Sequence, residues 1–163
     1  MKITTIDQLF ERLGTRGNGA YGLSSVTQLD HGLQSAALAQ QRGLSSAMTI
    51  AALFHDVGHL GVAEDVSLAD QGIDDRHEFA SAQILARLFG PAVSEPVRLH
   101  VAAKRYLCSV EPDYLARLSE DSLVSLKLQG GTQSDAERAA FEREPYYQDA
   151  VDLRRINSSA MAR

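Results

Sequence analysis

Apolar positions along the chain recur at helical spacing, and no stretch sustains the period-two alternation of a half-buried strand. Thr5-Ile6-Asp7-Gln8 carries a capping-box pattern, Leu9, Phe10 and Leu13 follow at helical spacing, and Gly14 is the expected stop. Residues 15–20 read as a loop. The pattern then predicts a long helix from about Ser25 to Arg42, closed by Gly43. A further helix, capped by Ser45 or Ser46, is expected to run to about His59. Residues 61–75 are acidic and irregular and read as a surface loop. Asp74 or Asp75 caps a helix to about Phe89, bearing Phe79, Ala80, Ile84, Leu85 and Leu88, and Gly90-Pro91 breaks it. Ser94-Glu95-Pro96 opens the next, which carries Val97, His100 and Val101 and ends near Tyr106. Short helices around Tyr114 and over Ser119–Leu126 precede the turn Gln129-Gly130-Gly131. Ser134 caps a helix to about Glu142, and Pro145 opens the last, through about Asn157. The expected class is all-α, with residues 1–163 forming a single domain without repeats or linkers.

A chain of 163 residues can bury a full core without a disulfide or structural zinc. With 44% hydrophobic residues and no Trp, that core is aliphatic. Sixteen basic against 21 acidic residues give a net charge of −5, which argues against nucleic acid as a partner, since phosphate neutralisation drives that binding. Cys108 is the single cysteine and reads as a small packed residue. No apolar run is long enough to span a bilayer, and Met1-Lys2-Ile3 does not begin a signal peptide. The expectation is a cytoplasmic protein with no membrane partner.

The candidate chemistry lies in the histidines. All five fall in one ordered series: His31, His55-Asp56, His59, His77 and His100. Neutral imidazole and carboxylate are ligands for iron, manganese and zinc. His31, His77 and His100 sit on helices separate from the one that ends in His55-Asp56, and ligands converging from separate helices are how bundle-core metal sites are built. His59, four residues after His55, is expected on the same helical face.

That order resembles the HD-domain superfamily, named for the pair seen here as His55-Asp56, an all-α group made up mostly of metal-dependent phosphohydrolases. The resemblance narrows over Tyr21-Gly22, Gln28-Leu29-Asp30-His31, Leu33-Gln34, Ala51 through His59, His100 through Leu107, and Leu128-Gln129-Gly130-Gly131. These stretches look like the phosphonate-cleaving HD-domain oxygenases (PhnZ-like), over nearly the whole chain from about Tyr21 to Arg155. The Ala-Lys-Arg-Tyr-Leu stretch and the Gln-Gly-Gly turn carry most of the weight, because they are not general HD features.

The resemblance implies a helical bundle around two irons, one Fe(II) and one Fe(III). His31, His55 and Asp56 would hold the first iron. Asp56 would bridge to the second, held also by His77 and His100. His59 and Lys104 would contact the substrate phosphonate, with Ser122 and Gln129 as further contacts. Lys104 also follows His100 by one helical turn, which puts an ammonium beside the metal where an anion would bind. Tyr21 matches a tyrosine that fills the open iron position until substrate displaces it. The implied reaction is oxidative carbon–phosphorus cleavage with O₂, releasing phosphate.

Two positions depart from that family. Ser24 stands where the aminophosphonate-cleaving members carry a glutamate that pairs with the substrate ammonium, so the expected substrate carries a hydroxyl and no ammonium. Asn157 stands three residues after Arg154, where the first iron's last ligand is usually an aspartate. Asn157 is expected to point at the first metal as a weaker, neutral ligand. Asp152 is an unsuitable substitute, since two residues along a helix turn about 200°. The chain ends at Arg163, where members of that family continue.

Two other functions compete. A metal-dependent phosphohydrolase acting on a small phosphate ester or nucleotide, with manganese or zinc, would use the same ligands to activate water. A non-catalytic binding module would keep the histidines without the last aspartate.

Overall fold

The computed structural model describes residues 2–19, 26–61 and 77–161. Tyr21, Ser24, Ser25, Asp74 and Asp75 lie outside them, as does nearly all of the expected acidic loop. The described chain is all-α and holds no strand: α1 (Ile6–Arg16), α2 (Gln28–Gln41), α3 (Ser46–Phe54), a 3₁₀ turn (Val57–Gly61), α4 (His77–Phe89), α5 (Pro91–Arg98), α6 (His100–Val110), α7 (Pro112–Ala116), α8 (Glu120–Leu128), α9 (Asp135–Glu142) and α10 (Tyr147–Met161). None of these helices is long and apolar enough to cross a membrane.

Local chemistry sets most boundaries. Thr5 and Ser134 each close a capping box, with Gln8 and Glu137, and Thr27, Ser45 and Ser119 accept from the backbone N–H three residues on. Gly14 does not stop α1. The buried Leu9 and Leu13 hold the helix past it, outweighing the roughly 1 kcal/mol that an internal glycine costs, and α1 ends at Gly17 instead. A Cβ on Gly17 would stand 2.2 Å from the Leu13 carbonyl oxygen.

Two departures bear on the site. First, α3 does not reach His59. It ends at Phe54, and the chain tightens into the 3₁₀ turn, where Gly58 lies against α4. The Gly58 N–H donates to Ser81 Oγ at 2.8 Å, and a Cβ there would meet the His77 carbonyl oxygen at 2.6 Å. His59 therefore does not share a helical face with His55. Second, the helix expected through His100 is two helices. Pro91 opens α5 in its first turn, Pro96 sits inside it, and Leu99 separates it from α6, which runs on to Val110. α10 likewise lies later than expected, beginning at Tyr147 and ending at Met161.

The core has two lobes. One gathers Leu9, Leu38, Phe54, Leu85 and Val97 from α1–α5; the other gathers Leu107, Tyr114, Leu126 and Phe141 from α6–α9. α10 joins both, giving Leu153, Ile156 and Ala160 to the first lobe and Ala150 and Val151 to the second. It packs against α2, α3, α5 and α6, the helices that carry or adjoin His31, His55 and His100.

Candidate metal centre

The carboxylate of Asp56 is the middle of the site. His55 Nε2 lies 3.0 Å from its Oδ2, and His31 Nε2 lies 4.0 Å from the same oxygen. On the other side, His77 Nε2 lies 3.0 Å from Oδ1 and His100 Nε2 3.8 Å. Within each pair the ring nitrogens nearly touch: His31 Nε2 to His55 Nε2 is 3.2 Å, and His77 Nε2 to His100 Nε2 is 3.3 Å. Two nitrogens on one cation, each at about 2.1 Å and 90–110° apart, stand about 3.0–3.4 Å from one another. Both pairs have that spacing. Each carboxylate oxygen thus faces its own pair of imidazoles, an arrangement that fits two cations with Asp56 between them.

The orientation of the rings is fixed from behind. His55 Nδ1 lies 2.7 Å from the Ala52 carbonyl oxygen, and His100 Nδ1 lies 2.6 Å from that of Val97. A carbonyl only accepts, so each Nδ1 carries the proton and each Nε2 turns a lone pair towards Asp56. Glu78, buried next to His77, places Oε2 3.8 Å from His77 Nδ1. An acid directly following a ligand histidine is a signal the sequence offered for Glu78.

His59 comes to the same place by a different route. Its ring stacks on His77, with centroids 3.9 Å apart and planes 23° from parallel. Asp56, His59 and His77 each present a ligand atom within 4.8 Å of the others, as do His31, His55 and Asp56. The geometry therefore allows His59 to reach a cation as well as a substrate.

Burial sets the charge state. His31, His55, Asp56 and His100 are all buried. Desolvation, then the neighbouring His55, lowers the His31 pKa to about 3. Desolvation and His77 push His100 well below its usual value. For Asp56 burial alone would raise the pKa, but His55 and His77 outweigh it and hold the carboxyl well below its ordinary range. At neutral pH the His31 and His100 rings are therefore neutral and Asp56 is a carboxylate, donors ready for cations.

The same shifts fix a pH dependence. Each folded-state pKa lies below its unfolded value, so the unfolded chain takes up protons first as the pH falls. The metal-free protein should hold its stability above about pH 6.5 and lose it towards pH 4, by about 3 kcal/mol from His31 alone. Urea midpoints between pH 7 and pH 4 measure this, and a flat profile would contradict it.

Two further buried polar groups lie on α10. Asn157 on α10 is fully buried, and neither its Oδ1 nor its Nδ2 has a hydrogen-bond partner among the described residues. An unsatisfied buried amide group costs about 1–3 kcal/mol, so this side chain suits a site that receives something else. Arg154, one turn before it, is buried, donates from Nε to Tyr114 Oη at 2.8 Å, and lies close enough to lower the His31 pKa further. In the sequence a lone arginine on a helix carries no sign of burial.

Beyond the second imidazole pair, α6 carries Lys104, buried at 4% exposure, whose Nζ donates to Gln129 Oε1 at 2.9 Å. Gln129 is the C-cap of α8, and Ser122 is buried in the first turn of that helix. Arg105 latches the turn that follows: its Nε donates to the Gly131 carbonyl at 2.8 Å and its Nη2 meets Glu137 at 3.1 Å. Gly130, at φ +108°, leaves room for that guanidinium, which would stand 3.3 Å from a Cβ. Cys108 is buried, and desolvation raises its thiol pKa despite Lys104 nearby, as suits a packed residue.

Residues 29–135 match the HD domain family. They include all five histidines and Asp56, whereas Asn157 lies beyond them. A hydroxymethylphosphonate dioxygenase of Gimesia maris is 46% identical over 156 residues, covering 95% of this chain and 77% of the relative. A glycine-betaine-forming [1-hydroxy-2-(trimethylamino)ethyl]phosphonate dioxygenase of Leisingera caerulea is 39% identical over 154 residues, covering 94% and 77%. An uncharacterised protein of Acanthamoeba polyphaga mimivirus is 33% identical over 154 residues, covering 93% and 69%. A buried His-Asp centre on an all-helical scaffold and this similarity over nearly the whole chain agree: the chain belongs to the HD-domain family.

Proposed function

We propose that the protein is a dinuclear-iron oxygenase that cleaves the carbon–phosphorus bond of a small hydroxy-substituted organophosphonate, with hydroxymethylphosphonate as the first candidate. The observation that carries this reading is the Asp56 carboxylate with an imidazole pair at each oxygen, in a chain 46% identical to a hydroxymethylphosphonate dioxygenase. His31, His55 and Asp56 would hold the first iron, and Asp56, His77 and His100 the second. Irons bound there would mediate electron transfer from the substrate to O₂ and act as a Lewis acid on the substrate's oxygens.

The chain's own groups do the rest. Lys104 holds a buried ammonium one turn beyond His100, suited to an anionic phosphonate oxygen, and Gln129 fixes its direction. His59, stacked on His77, offers a second nitrogen on that side. Ser122 lies on the helix that ends in Gln129. Tyr21 and Ser24 stay in the proposal from the resemblance alone. A serine in place of the glutamate favours a substrate without an ammonium.

Asn157 is assigned here as the neutral last ligand of the first iron, which its buried amide without a hydrogen-bond partner among the described residues supports. Asn157→Asp restores a carboxylate and should tighten metal at that position by about tenfold or more, since a charged ligand gains over a neutral one. Chelator competition reads the change; unaltered affinity would remove Asn157 from the ligand set.

The activity test is made on protein loaded with Fe(II) without oxygen. Hydroxymethylphosphonate and O₂ should give formate and phosphate in equal amounts, with one O₂ consumed for each, and a half-integer-spin EPR signal should mark the iron pair. Hydrolysis of phosphate esters by the manganese or zinc form without O₂ would instead establish the hydrolase.

A further inference from the structure

α6 and the turn after α8 are tied together around Lys104. Lys104 Nζ donates to Gln129 Oε1 at 2.9 Å. Arg105 Nε donates to the Gly131 carbonyl oxygen at 2.8 Å, and Gln133 Nε2 donates to the Ala102 carbonyl oxygen at 3.1 Å. We propose that Arg105 and Gln133 are positioning residues for the phosphonate: they clamp the turn from Gln129 to Gln133 onto α6, so that Gln129 aims the Lys104 ammonium at the substrate. The proposal rests on the oxygenase reading above.

A lysine needs that direction imposed. Its ammonium ends a flexible four-carbon stem, and its three donors rotate about the last bond. One N–H committed to Gln129 fixes the axis before an anion arrives, so less ordering is left for binding to supply. The aim is only as firm as Gln129, and Gln129 stands at a weak place. It is the C-cap of α8, and two glycines of left-handed conformation follow, Gly130 at φ +108° and Gly131 at φ +75°. The Gly131 N–H closes the helix on the Leu126 carbonyl at 2.8 Å, but that bond does not set where the turn lies over α6. Glycine has the most backbone freedom to lose, so an outside tie is needed.

Arg105 is the outer arm of the tie. While Nε holds Gly131, Nη2 meets both carboxylate oxygens of Glu137 at 3.1 Å, so one guanidinium spans the turn and the first turn of α9. Gln133 is the inner arm. It is buried, and Arg138 Nη1 donates to its carbonyl oxygen at 3.1 Å, which holds it in turn. Ala102 and Arg105 flank Lys104 along α6, so the turn is held on both sides of the lysine it directs. Neither arm belongs to the metal ligands assigned above.

Titration of hydroxymethylphosphonate into the Fe(II)-loaded protein without O₂ measures the effect. Arg105→Met and Gln129→Ala should each raise Kd by about fivefold. Because both act through one chain of contacts, the double variant should also lose about fivefold, where independent residues would lose roughly 25-fold. Gln133→Met cuts the inner arm without changing charge and should raise Kd by about threefold; it also carries the test if Arg105→Met fails to fold. In turnover KM should rise with Kd while kcat stays within about twofold, and bound metal should be unchanged. Unchanged Kd in the folded variants, or losses that multiply in the double variant, would overturn the clamp. If wild-type protein neither binds hydroxymethylphosphonate nor consumes O₂ with it, the oxygenase reading fails, and Lys104 itself then decides the clamp. Acetylation of its Nζ by acetic anhydride, followed by peptide mass spectrometry, should run about fivefold faster in Arg105→Met and Gln133→Met than in wild type. Equal rates would overturn the clamp on that ground alone.

Discussion

Asp56→Asn is expected to empty both cation positions together. Among the described residues the carboxylate is the one group that faces both imidazole pairs, at 3.0 Å from His55 on one oxygen and 3.0 Å from His77 on the other. Asparagine keeps the shape and removes the charge, and one of its two terminal atoms becomes an NH₂ that cannot ligate. Metal content should fall from two ions per chain to below about one, and O₂-dependent phosphate release should drop by about a thousandfold or more, because several kcal/mol of charge stabilisation leave with the metal. Stability separates this from misfolding. Wild-type protein with metal at a hundred times its Kd gains about 2.7 kcal/mol, which for a chain of this length is a rise of about 5–10 °C in Tm. The variant should lose that rise while its metal-free Tm stays near wild type. A variant that keeps one tightly bound ion would show that Asp56 does not bridge.

Lys104→Met is expected to separate substrate binding from metal binding. Methionine keeps most of the length and the apolar stem and removes the ammonium. A hydrogen bond to a charged group contributes about 1.5–3 kcal/mol, so KM for hydroxymethylphosphonate should rise by about ten- to a hundredfold. Metal content should not change, since Lys104 is a full turn from His100. The loss should be smaller for Gln129→Ala, which leaves the ammonium and removes the Oε1 that it meets at 2.9 Å. Loss of metal from Lys104→Met would make Lys104 a structural residue. An unchanged KM would move the phosphonate elsewhere.

The parts of the site legible in the sequence were those set by ligand order. His31, His55, Asp56, His77 and His100 come together as the resemblance implied, and the helices that bring them were readable from caps and apolar spacing. The misreadings share one cause. Periodicity reports a face and does not report where a helix yields to tertiary contact. α3 stops before His55 because Gly58 must lie against His77 and Ser81 on α4, a contact more than 15 residues away in sequence. α5 and α6 separate at Leu99, which no glycine or proline marks. Gly14 failed as a stop because Leu9 and Leu13 are buried in the core. Arg154 was illegible for a different reason: a charged residue in a helix is usually solvated, and only the packing shows this one inside.

The hydrogen bonds from His55 to Ala52 and from His100 to Val97 place both rings at the carboxyl-terminal ends of helices, α3 and α5. Each such end carries roughly half a negative charge from its aligned peptide dipoles. They lie where these rings stand 5.6 Å apart; the amino-terminal end of α6 at His100 offsets the second, and Asp56 adds a full negative charge. This part of the scaffold therefore attracts positive charge without regard to the element that supplies it. Nitrogen and carboxylate donors bind zinc and copper more tightly than ferrous iron, by the general order of divalent affinities. The fold thus leaves the choice of metal to supply, and a preparation exposed to trace zinc would fill with zinc ahead of ferrous iron.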